Sequence, residues 1–143
     1  MRKTGFVFLG LAALAVVSCT SVAPVRVSAG DQCFRCRRTI MDTRFAGETI
    51  EPNGFVSKFR APGCMAKYLV AHPDERGSVF VTDYTGGKMV SPDAALFVPV
   101  LIDPATGERE YRAYLEKADA AAAAMQEHTL PVAWSVVLEK ARS

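Results

Sequence analysis

The pair Cys33-Phe34-Arg35-Cys36 is the strongest constraint on how this chain can fold. Thiols three residues apart are poorly placed to cross-link distant parts of a fold, yet their sulfurs converge readily on one ion. A third thiol, Cys64, follows after a hairpin signal, with the thioether of Met65 beside it, and Met41 lies near the end of the run that Cys33 begins. Setting aside Cys19, which belongs to a separate signal, three cysteines remain. Three is an odd number, so a purely structural use would leave one thiol over, whereas a metal can engage two or all three. The domain must therefore be one that brings residues 33–36 and residue 64 into reach of each other, if these sulfurs act together.

The N-terminus reads as a targeting segment. Arg2 and Lys3 precede an uncharged apolar run, Gly5 to Val17, that is short for a bilayer span. It ends in Val16-Val17-Ser18-Cys19, which resembles the lipobox of bacterial lipoproteins. Residues 1–18 are expected to be a lipoprotein signal peptide, with Cys19 acylated and held at a membrane surface without a spanning helix. An ordinary secretory peptide with an incidental cysteine is the alternative. Residues 19–31 read as a flexible tether and residues 32–143 as the domain. The chain carries 17 basic and 15 acidic side chains, and loss of Arg2 and Lys3 would leave fifteen of each. The mature part is then neutral, which gives no global case for nucleic acid.

Along the domain, Arg44–Glu51 and Gly54–Arg60 read as two strands joined by Pro52-Asn53-Gly54. Pro62–Ala71 reads as a helix, with proline in its first turn and Pro73 beyond its end. A looser echo follows: a strand at Ser78–Thr85, a brief helical turn at Ser91-Pro92-Asp93, and an apolar strand at Leu96–Ile102. Pro99 argues for an edge or a bulge, and Glu110–Leu115 is the expected hairpin partner. Lys117–Glu127 is an alanine-rich helix, and Pro131–Arg142 another with Trp134, Val137, Leu138 and Ala141 as its apolar stripe. The fold class is α+β, small antiparallel sheets with helices.

Thiolates and thioethers are the ligands monovalent copper, Cu(I), favours, at low coordination number. Cys33, Cys36 and Cys64 are the candidate ligands, with Met65 and Met41 as possible thioether additions. Three thiolates on one such ion carry a formal charge of −2. Arg35, Arg37, Arg38 and Arg44 are the candidate cations that offset it and favour the thiolate form. Cys64 in the first turn of its helix gains a similar bias from the helix end. A methionine on a helix face is more often core than ligand. His72 and His128 lie at no metal-ligand spacing from a second histidine, so an imidazole-rich site is poorly supported. Two alternatives stand beside copper: a zinc staple, which needs a fourth ligand, and a thiol–disulfide oxidoreductase using Cys33 and Cys36, whose motif lacks the expected βαβ context. No carboxylate pair, phosphate loop or Ser/His/Asp set points to hydrolysis or phosphoryl transfer, so an enzyme is not expected.

Several of these pieces occur together in one family. Cys33-x-x-Cys36, Ile40-x-Asp42-x-Arg44-Phe45-Ala46-Gly47-Glu48, Lys58-Phe59, Gly63-Cys64-Met65 and Val81-Thr82-Asp83-Tyr84 resemble the NosL family, copper-binding accessory lipoproteins of nitrous-oxide reductase assembly. The resemblance covers residues 32–98 well and the C-terminal helices in outline. It implies β-β-α units, an extracytoplasmic (periplasmic or cell-surface) lipoprotein, and delivery of Cu(I) to a partner metalloprotein or its assembly machinery. By position, Cys36 matches the main motif cysteine, and Cys64-Met65 the second sulfur motif. Two departures stand out. Many members have Cys-Gly-Met where this chain has Cys36-Arg37-Arg38, and a later Pro-Met-Gly segment has no equivalent between Phe97 and Tyr114. The chain thus favours a cysteine-dominated site.

Overall fold

The computed structural model describes residues 21–75 and 77–143. The expected signal peptide and Cys19 lie outside the described residues. Asp42 begins the ordered hairpin region: its side chain accepts the Arg44 N–H at 3.0 Å and caps a 3-10 turn, Thr43–Phe45. The strand expected from Arg44 is therefore shorter, because its first residues are spent in this turn. It runs as β1, Gly47–Ile50, and pairs antiparallel with β2, Val56–Phe59. The Pro52-Asn53-Gly54 connection closes as a turn, with Gly54 at φ +87 and the Phe55 N–H donating to Asn53 Oδ1 at 2.8 Å. Only glycine takes that φ without strain.

Helix α1 spans Pro62–Ala71, the expected bounds, with proline at its start and the His72-Pro73 step at its end. Strands β3, Ser78–Thr82, and β4, Met89–Val90, complete a four-stranded antiparallel sheet in the order β2-β1-β3-β4. A 3-10 turn at Pro92–Ala94 leads to β5, Leu96–Asp103, which pairs with β6, Glu108–Tyr114, as a separate hairpin. The irregularity falls at Leu101/Asp103, just beyond Pro99. Helix α2, Lys117–Gln126, follows, and α3, Trp134–Arg142, packs on α1. The helix expected from Pro131 starts later because Val132 exchanges two backbone hydrogen bonds with Phe97, each 2.8 Å, and is held extended. The architecture is α+β, two β-β-α units with small antiparallel sheets.

Side chains alternate across β5, so one strand serves two cores. Phe97 enters the larger core, 5.2 Å from the Trp134 ring, among Phe59, Met65, Val81 and Val137. Val98 and Val100 face the other way onto Ala120, Ala123 and Ala124 of α2, whose small side chains let the helix lie close to the strand. Asp83 stitches the units together. Its Oδ1 accepts the Leu115 N–H at 3.1 Å, and the Tyr84 N–H donates to the Ala113 carbonyl at 2.7 Å.

The segment expected as a tether is docked over its second half. Val27 is buried in the larger core. The Val25 N–H donates to Glu48 Oε1 at 2.6 Å, and Asp31 pairs with Lys58 at 2.7 Å. The packed unit therefore begins near Val25 rather than at Gln32.

Candidate metal centre

The first two thiols sit on a tight loop pinned at both ends. The Cys33 N–H donates to the Arg38 carbonyl and the Arg37 N–H to the Cys33 carbonyl, both at 2.9 Å. Arg37 turns the chain with φ +62, a conformation glycine adopts at no cost. The residue after Cys36 thus occupies the left-handed region. Phe34 fastens the loop to the rest of the protein. Its N–H donates to the Lys58 carbonyl at 2.7 Å, and its ring meets Tyr68 of α1 edge-on at 5.4 Å.

Cys64 enters from the first turn of α1. Its sulfur lies 3.5 Å from that of Cys33, and the ligand atoms of Cys33, Cys36 and Cys64 all lie within 4.8 Å of one another. Cys33 is fully buried and Cys64 nearly so, while Cys36 is half-buried. Structure thus joins Cys33 to Cys64 as closely as the sequence joins it to Cys36. Electrostatics within the pair are asymmetric. The contact with the Cys64 sulfur, together with backbone N–H groups of Cys36 and Arg60, pulls Cys33 down to about 4 despite its burial. The same contact, burial, and the charge on Cys33 push Cys64 well above the usual thiol range.

The cations at the sulfurs are not all those the sequence singles out. Arg44 lies away from the site, tied to Asp42 at 2.8 Å and over the Tyr84 ring at 4.7 Å. Arg37 lies over the Phe34 ring at 5.5 Å. Arg35 and Arg38 do line the cavity at the sulfurs, Arg38 through a two-pronged pair with Glu108 at 3.0 and 3.2 Å. The residue that sequence reasoning missed is Arg60. It lines the cavity that opens on Cys36 and Cys64, pairs with Glu108, and lies 3.8 Å from Glu110. Burial works against its charge, and these partners outweigh that effect, holding Arg60 above its ordinary value. Glu110 is buried, and burial pushes its carboxyl up; its carboxylate accepts the Gly63 N–H at 3.0 Å beside Cys64. No local signal in residues 58–62 announces this role for Arg60, because its acidic partners lie on β6.

The two methionines occupy different settings. Met65 follows Cys64 on the helix, so their side chains diverge. It is fully buried, and its thioether packs against Gly47 of β1. Met41 is 79% exposed and lines a neighbouring cavity of about 280 Å³ that shares Arg38, Arg60 and Glu110 with the sulfur cavity. His72 stacks on Tyr68 at 4.3 Å and is exposed at the end of α1.

The fold and the site together define a class: a pair of β-β-α units with three convergent thiols in a cavity lined by guanidinium groups, an arrangement suited to a soft metal ion. No protein-family model matches the chain, and no curated protein matches it. Among solved structures, the fold is similar to the crystal structure of the copper chaperone NosL from Shewanella denitrificans, with a TM-score of 0.63. The sequences are 20% identical, and the match covers 79% of this chain and 93% of that one. The likeness establishes the NosL-like fold.

Proposed function

We propose that the protein is a copper chaperone that carries Cu(I) on Cys33, Cys36 and Cys64 and passes it to a partner metalloprotein, nitrous-oxide reductase or its assembly machinery being the partner the family resemblance favours. The observation that carries this reading is the convergence of three sulfurs within 4.8 Å around a half-buried one, Cys36. A low-coordinate thiolate set suits Cu(I) and leaves room for an incoming ligand. Handover is then ligand exchange: a partner thiolate or thioether adds to copper, a cysteine sulfur leaves, and no electron moves. Arg60 and Arg38 offset the excess negative charge of the thiolates. The solved structure of similar fold, itself described as a copper chaperone, supports the same reading. Placement outside the cytoplasm on a lipid anchor at Cys19 belongs to this proposal and rests on the lipobox resemblance. A zinc staple needs a fourth ligand beyond the three thiols.

Anaerobic titration with Cu(I) against a competing chelator tests the proposal, using protein with Cys19→Ser so that this thiol does not count. Saturation near one equivalent is expected, and it should vanish in a Cys33→Ser/Cys36→Ser/Cys64→Ser variant. Equal binding by that variant, or tight zinc whose removal unfolds the domain, overturns it.

A further inference from the structure

The cavity that opens on Cys36 and Cys64 holds about 240 Å³ and is lined by far more positive than negative charge. Arg35, Lys67 and Arg109 stand on its rim. Lys67 also borders two adjoining grooves, where Lys140 and Arg142 of α3 extend the same field. All five of these cations are exposed, and none forms an ion pair among the described residues. The acidic side chains in the same cavities, Glu108 and Glu110, are already bonded inward to Arg38, Arg60 and the Gly63 N–H. A segment with fifteen acids and fifteen bases thus concentrates unpaired positive charge at one place, around the opening of the thiol site.

We propose that this collar of Arg35, Lys67, Arg109, Lys140 and Arg142 is the docking surface for an acidic face on the protein that exchanges copper with the three-thiol site. The inference rests on the copper-carrier reading above. Unpaired rim charges act mainly on encounter: they steer an oppositely charged partner and raise association rates by about 10- to 1,000-fold at low salt. They also neutralise the partner's carboxylates as it covers the cavity, so that its ligand can reach Cys36. A protein fits this surface better than a lipid bilayer does. The cations surround recessed cavities, and the large exposed apolar side chains, such as Phe55, Leu101 and Leu130, lie outside those cavity linings. A flat membrane cannot bring a sulfur ligand into that recess.

The test uses two synthetic acceptor peptides with the same Cys-x-x-Cys copper site, one flanked by glutamates and the other by lysines. Copper transfer from loaded protein is followed by stopped flow at low and high salt. Transfer to the glutamate-flanked peptide should be about tenfold or more faster at low salt, with the difference collapsing near 1 M salt, where the screening length is about 3 Å. A Lys67→Glu/Arg109→Glu/Lys140→Glu variant should reverse the preference while still loading one equivalent of copper. Equal rates for the two peptides, or a preference that survives the charge reversal, overturns the docking surface while the carrier reading stands. Failure of the wild-type protein to load copper overturns both. If the peptides are not distinguished but phosphatidylglycerol vesicles bind wild type and not the variant, the collar faces lipid and the inference is wrong.

Discussion

Replacing Arg60 with methionine removes a half-buried guanidinium from the wall of the thiol cavity while keeping most of its apolar stem. A positive charge about 4 Å from a thiolate is worth roughly 4 kcal/mol at an effective dielectric constant of about 20. Arg60 shares its charge with Glu108 and Glu110, so the net contribution to copper binding is smaller. Losses on removing groups that orient or support metal ligands run to about 10- to 100-fold, or roughly 1.4 to 2.7 kcal/mol. Arg60→Met should therefore weaken Cu(I) binding by 10- to 100-fold, read by anaerobic chelator competition. Arg60→Lys should fall between the two, since an ammonium keeps the charge without the planar fork. Arg44→Met is the control, because that guanidinium is occupied by Asp42 and Tyr84. If Arg60→Met binds copper as tightly as wild type, or Arg44→Met loses as much, the electrostatic account of the site is wrong.

Two further outcomes follow from buried groups. Glu48 is fully buried with Oε2 unpartnered, and burial raises its carboxyl above the usual range. A raised acid costs the folded state nothing below its unfolded value and penalises it as pH climbs through the folded value. Glu48→Gln should thus gain stability relative to wild type as pH rises above the ordinary glutamate range in urea unfolding, and a gain that shrinks with rising pH refutes this. Gly63→Ala sets helix propensity, about 1 kcal/mol in favour, against a Cβ that would lie 2.5 Å from Glu110 Oε2. Overpacking of about 1–3 kcal/mol should win, lowering the urea midpoint, whereas in a Glu110→Ala background the same change should raise it.

Much of the frame was legible because its signals are local. Pro62 and the His72-Pro73 step delimit α1, and Pro52-Asn53-Gly54 marks its hairpin, whatever the rest of the chain does. The thiol set was legible as a set of candidates, and the fold is what gathers it. Features made by partners distant in sequence were not legible. Val132 is held extended by Phe97, Val27 by a core it does not help to announce, and Arg60 by acids on β6. Runs of arginine beside a thiol suggested the charge balance, yet Arg37 and Arg44 turn to aromatic rings instead.

The Asp83 stitch has a bearing on the site that its position alone does not advertise. All three sulfurs are carried by the first β-β-α unit and its leading loop, while the acids gripping Arg60 belong to the second. The seam between the halves therefore runs along the wall of the thiol cavity, between Arg60 and its acids. A shift of the second unit would draw Glu108 and Glu110 away from Arg60, while the three thiols, all on the first, keep their own scaffold.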